Sequence, residues 1–75
     1  MIYKSKDGET FRYKSDAVDH VLRTDAEIAK WYRDEHGVDD EWISNLDASN
    51  CNTYGLGAPG DLCDMILADA GVVDE

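Results

Sequence analysis

The chain has 75 residues, with 17 Asp and Glu against 7 Lys and Arg, giving a formal charge of −10 and a pI near 4.3. A chain this short builds one domain with a thin core, worth roughly 3–5 kcal/mol net, and has no room for a cofactor domain beside a substrate domain. Its acidity opposes contact with nucleic-acid phosphates and with anionic membranes, and no run approaches the ~18–20 apolar residues that span a bilayer.

The N-terminal MIYKSKDGETFRY has no apolar stretch of the secretory kind, so a cytoplasmic location is expected. Residues 2–13 read as a β-hairpin turning at Asp7-Gly8, the pair favoured where both central positions of a turn need φ > 0. A two-residue turn pairs Lys6 with Glu9, Lys4 with Phe11 and Ile2 with Tyr13. It places Ile2, Phe11 and Tyr13 on one face, which helices must cover. Ser15 predicts the N-cap of a helix from Asp16 to about Arg23, with Ala17, Val18, Val21 and Leu22 on its apolar stripe. Thr24-Asp25-Ala26-Glu27 has the form of a capping box and starts a second helix, which runs to His36 and stops at Gly37. Ile28, Ala29 and Tyr32 are its buried stripe, bordered by Trp31 and His36.

Asp39 caps a short third helix carrying Trp42, Ile43 and Leu46. Residues 47–60 form a long loop rich in Gly, Asn and Ser. Pro59 opens a last helix, about Gly60 to Ala70, ending at Gly71. Its apolar stripe is Leu62, Cys63, Ile66, Leu67 and Ala70. Val72-Val73 either pack back on the core or add a short strand. The expected fold is α+β: one domain, residues 1–75, with an N-terminal two-stranded antiparallel hairpin followed by three or four short helices. Its expected core contains Ile2, Phe11, Val18, Val21, Leu22, Ile28, Tyr32, Leu46, Leu62, Ile66 and Leu67.

Motifs for small-molecule chemistry are incomplete. Gly55-Leu56-Gly57-Ala58-Pro59-Gly60 matches G-x-G-x-x-G, but no strand precedes it, so it reads as a loop with glycines at φ > 0. Asp47, Ser49 and Cys51 lack the Gly and Glu that complete a calcium loop. His20, His36, Cys51 and Cys63 lack the local spacing that locks zinc ligands. No cofactor and no metal are expected. His20 reads as solvent-facing, Cys51 as a polar-loop residue and Cys63 as part of an apolar face, with a bridge between the two cysteines left open. A catalytic acid–base pair needs a buried carboxyl in a cleft, which a thin core hardly offers, so no enzyme is expected.

The charge pattern is the stronger signal. From Asp34 to Glu75 the chain has eleven acids and no Lys or Arg, whereas all seven bases fall in the first 33 residues with six acids. Asp61, Asp64 and Asp69 share one exposed helix face with Met65, which adds adaptable apolar contact. Asp34, Glu35, Asp39, Asp40 and Glu41 gather round the turn at Gly37-Val38, beside Trp31 and Trp42. Either ring can stack on guanidinium, and Trp42 is expected rather in the core, which leaves Trp31. These ten residues are the candidate partner-binding set, and the partner they imply is a basic protein surface. Acids also keep small proteins soluble, but −10 exceeds the ~2–8 that solubility asks for.

With its Lys/Arg-free stretches DEHGVDDEW and APGDLCDMILADAGVVDE, this small acidic chain resembles the phage-encoded inhibitors that mimic DNA, the anti-CRISPR and anti-restriction proteins. The resemblance lies in size and charge. It implies a stoichiometric blocker, acting in the host cytoplasm, whose carboxylates occupy the phosphate-binding groove of a defence nuclease or recognition complex. Met65, Trp31 and Tyr54 are then the apolar anchors. The alternative is an intracellular adaptor domain that binds a protein through loop 47–60 or the hairpin edge.

Overall fold

In the computed structural model, which describes residues 1–75, two antiparallel strands open the chain, β1 (Tyr3–Lys4) and β2 (Thr10–Phe11). Tyr3 pairs with Phe11 and Lys4 with Thr10, one residue away from the register of a two-residue turn. The connection is a three-residue loop. Ser5 N–H donates to the Glu9 carbonyl (2.9 Å) and Gly8 N–H to the Ser5 carbonyl (3.1 Å), with Gly8 at φ 92°. This turn with a left-handed bulge glycine uses the same Asp-Gly pair with one more residue. Asp7 holds it: its carboxylate accepts from Glu9 N–H (3.2 Å) and from the Ser5 hydroxyl. A one-residue slip exchanges the two faces of a strand. Tyr3 and Phe11 therefore pack on the core, while Tyr13 and Ile2 (48 % exposed) turn outward, so Ile2 is not a core residue.

The sheet has three strands, not two. β3 (Val73–Asp74) pairs antiparallel with β1, giving the order β2-β1-β3. Ile2 and Glu75 exchange both backbone hydrogen bonds, at 3.0 and 2.7 Å. β1 is thus central, and only β2 and β3 present edges.

Four helices complete the α+β fold. α1 (Lys14–Thr24) starts earlier than its Ser15 signal; Tyr13 occupies the N-cap without a side-chain bond, and Ser15 is buried in the first turn. α2 (Ala26–His36) is capped by Asp25, whose carboxylate accepts from Ile28 N–H (3.1 Å). Thr24 stays in α1, its hydroxyl donating to the His20 carbonyl (2.7 Å). Gly37 at φ 68° ends α2, and Val38 N–H reaches back to the Tyr32 carbonyl (3.2 Å), folding Val38 into the core. α3 (Asp40–Ser44) begins at Asp39, whose carboxylate accepts from Trp42 N–H (2.9 Å). α4 (Gly60–Asp69) ends in a Schellman motif: Gly71 N–H bonds the Ala68 carbonyl (3.1 Å) and Val72 N–H the Leu67 carbonyl (2.9 Å). That motif turns the chain back toward β1.

Val18, Val21, Leu22, Tyr32, Ile66 and Leu67 are buried as expected, with Phe11, Ile28, Leu46 and Leu62 half-buried around them. Val38 and Cys51 are further core members. Cys51 is not a polar-loop residue: a 3-10 turn, Asn50–Asn52, directs it inward beside Cys63, and both thiols are free and buried. No helix is long and apolar enough to cross a membrane.

Candidate protein-binding surface

Folding returns several bases of the N-terminal segment to the acids of the C-terminal one. Lys14, at the start of α1, reaches α4 and pairs with Asp64 at 2.8 Å, its side chain only 10 % exposed. Tyr54 closes the group, accepting from Lys14 (2.9 Å) and donating to Asp64 (2.8 Å). Burial works against the Lys14 ammonium, but Asp64 and Tyr54 outweigh it and raise its pKa. The Asp64 carboxyl, also desolvated, is held below its ordinary value by Lys14 and Tyr54. Lys30 pairs with Asp34 one turn away on α2, also at 2.8 Å. Asp40 lines a groove between α1, α2 and α3 together with Arg23 and Arg33.

The ten candidate residues therefore divide. Asp34 and Asp64 are ion-paired, Asp39 caps α3 and Asp40 faces arginines. Asp69 accepts a hydrogen bond from the buried Tyr32 hydroxyl, whose pKa is raised by burial and then by Asp69. Glu35, Glu41 and Asp61 are exposed and form no ion pair. Met65 (42 % exposed) and Trp31 (49 %) supply apolar surface among them.

Aromatic rings build a ledge at the end of α2. Trp31 meets Tyr32 edge-on at 4.8 Å, and His36 stacks on Tyr32 at 5.5 Å and lies 5.2 Å from Trp31. From His36 the surface continues into a groove of about 630 Å³, walled by Trp42, the Gly55–Pro59 loop, Leu62 and Asp61. The loop is closed at its neck, where Gly60 N–H donates to the Thr53 carbonyl (2.9 Å). The three glycines of the G-x-G-x-x-G match have separate jobs. Gly55 (φ 125°) and Gly57 (φ 79°) reverse the backbone on either side of Leu56, whose side chain is fully exposed. Gly60 allows the close approach at the neck, since a Cβ there would lie 2.3 Å from the Thr53 oxygen. Read residue by residue, the sequence misses Leu56 and His36 as parts of this surface and Lys14 as the partner of Asp64. It places Trp42 beside the acids but in the core, whereas the structure has it half-buried and lining the groove. The one local signal was a leucine between two glycines in a polar loop.

A second cluster lies on the hairpin. His20 is not free in solvent: its Nε2 is 2.8 Å from Asp7 Oδ2 and its ring lies 4.9 Å from Phe11. The order is Ser5–Asp7–His20, with the carboxylate in the middle. His20 therefore cannot take a proton from Ser5 as the base of a nucleophilic triad does. The cluster pins the hairpin loop to α1. No three His, Cys, Asp or Glu side chains converge in a metal-binding arrangement.

Comparison with protein-family models, with curated proteins and with solved structures finds no match to this chain. Fold and surface define a small α+β domain whose exposed face combines unpaired carboxylates with aromatic and aliphatic side chains.

Proposed function

We propose that this chain is a non-enzymatic protein ligand that blocks a basic, nucleic-acid-binding groove with its acidic face. The observation that carries the reading is charge density on a rigid body. The molecule measures 28 × 25 × 18 Å and carries −10. A nucleic acid 28 Å long carries roughly 8 charges as a single strand and roughly 16 as a duplex, so the chain falls between them. Glu35, Glu41, Asp61 and Asp69 project from packed helices, which fix the backbone positions of these charges relative to one another. Glu35, Glu41, Asp61 and Asp69 are the charges offered, with Trp31 and Met65 as apolar contacts. In the anti-CRISPR or anti-restriction version of this reading, the groove belongs to a defence nuclease in the host cytoplasm.

A second reading, an adaptor docking through loop 47–60, is favoured by the exposed Leu56. Salt separates the two, because charge pairing weakens with ionic strength and apolar docking does not. The test is an immobilised column of this protein loaded with cell lysate. Groove blocking expects captured nucleic-acid-binding proteins that elute with salt and are displaced by duplex DNA. Capture that resists both salt and DNA favours the adaptor.

A further inference from the structure

We propose that the groove between Trp42 and the glycine loop is an anchoring site for an arginine-bearing segment of a partner protein. The inference rests on the reading of the acidic face as a ligand for a basic protein, and it narrows the decisive contact to one place. The groove, about 630 Å³, is lined by apolar and aromatic groups with Asp61 as its one carboxylate and no Lys or Arg. A guanidinium suits that lining. It is planar and weakly hydrated, it stacks on an indole such as Trp42, and it pairs with a carboxylate. An ammonium is a strongly hydrated point charge and gains less from the rings. Phosphate is repelled by Asp61 and by the net charge, and a second copy of this chain brings the same −10.

The groove is also held in place. His36 is stacked on the buried Tyr32, Trp42 is half-buried against the core, and the loop is tied at Thr53–Gly60. Leu56 is the second element of the anchor. Two positive-φ glycines hold its whole side chain in water, where it makes no core contact. In the bound state it covers an apolar side chain next to the partner's arginine and excludes water from the ion pair, as rim contacts do around an anchor residue.

The test uses a blocked peptide of alternating arginine and leucine, and its lysine counterpart, titrated into the 15N-labelled protein. The expected result is chemical-shift change concentrated on the Trp42 indole N–H and residues 55–62, with the lysine peptide binding several-fold more weakly. Leu56→Ser and Asp61→Asn each weaken arginine-peptide binding by roughly five- to tenfold, with the rest of the spectrum unchanged. Shift changes spread over Glu35, Glu41, Asp69 and the C-terminus, equal affinity for both peptides, or full affinity in Leu56→Ser would each overturn the proposal. Failure of the wider reading looks different: the peptide binds in the groove, yet the lysate column captures nothing that DNA displaces.

Discussion

Asp7 titrates unlike an ordinary aspartate because three groups bind its charged form. The Ser5 hydroxyl contributes most, followed by His20 and Glu9 N–H, and together they bring its pKa down to about 2. A folded pKa below the unfolded one stabilises the fold above the unfolded value, 3.8, and that contribution disappears as pH falls from there toward 2. Carboxyl 13C shifts should place the Asp7 midpoint near 2, and Ser5→Ala should move it up toward 3.8 more than His20→Ala does. An unmoved midpoint in Ser5→Ala would show that the hydroxyl is not the main partner. Cys51 and Cys63 give a second residue-scale expectation. Both are fully buried, and the Cys63 thiol is pushed up by its Cys51 neighbour and by burial. An aromatic disulfide reagent should therefore label neither thiol in the native protein and both in denaturant, and rapid native labelling of Cys51 would place it back in an open loop.

At the scale of elements, Gly60 decides how the glycine loop meets α4. Gly→Ala in a helix usually stabilises by about 0.5–1 kcal/mol. Here the new Cβ would strike the Thr53 carbonyl at 2.3 Å, so the sign reverses and Gly60→Ala should cost about 1–3 kcal/mol in a denaturant melt. Leu67→Ala, in the core face of the same helix, should cost about 2–5 kcal/mol and come close to unfolding so small a domain. A Gly60→Ala protein as stable as the parent would mean that the neck is not closed. The helix ends at Gly37, Asp39 and Gly71 were readable because their chemistry is local: the two glycines take positive φ and Asp39 caps within three residues. The start of α1 was not, since Tyr13 fills the N-cap with no side-chain bond and Ser15 lies inside the first turn. The hairpin register was not, because Asp-Gly fits both a two-residue turn and a bulged three-residue loop, and one extra residue exchanges the faces. Cys51 was misplaced because a single 3-10 turn has too few residues to show a period.

At the scale of the whole molecule, the separation of bases from acids along the chain does not persist in space. Asp61, Asp64, Met65 and Asp69 were legible as one face because helical spacing puts them there. Nothing in the spacing announced that Lys14 would cross to Asp64, or that Arg23 and Arg33 would line a groove with Asp40. That packing determines how the functional charges must be tested. Asp64→Lys would set two ammonium groups together, one of them on the nearly buried Lys14 side chain, and should lower stability whatever the surface does. Lys14→Met should likewise cost about 1–2 kcal/mol, between the value of a surface pair and that of a buried one, because Asp64 stays half exposed. Glu35→Lys, Glu41→Lys and Asp61→Lys touch no ion pair. Glu41 and Asp61 lie in the first turns of α3 and α4, so each of those two reversals should cost about 0.3–1 kcal/mol through the helix dipole and leave the fold intact. If the acidic face blocks a basic groove, this triple reversal should abolish DNA-displaceable capture, since each close interfacial charge pair couples by about 1.5–7 kcal/mol. A matched triple reversal in the N-terminal segment, Glu9→Lys, Asp16→Lys and Glu27→Lys, also touches no ion pair and makes the same change of net charge, so it controls for net charge and should leave capture largely intact. Capture that weakens equally in both proteins would reduce the acidic face to a general field, and capture that survives the triple reversal would leave Leu56 and its loop as the docking element.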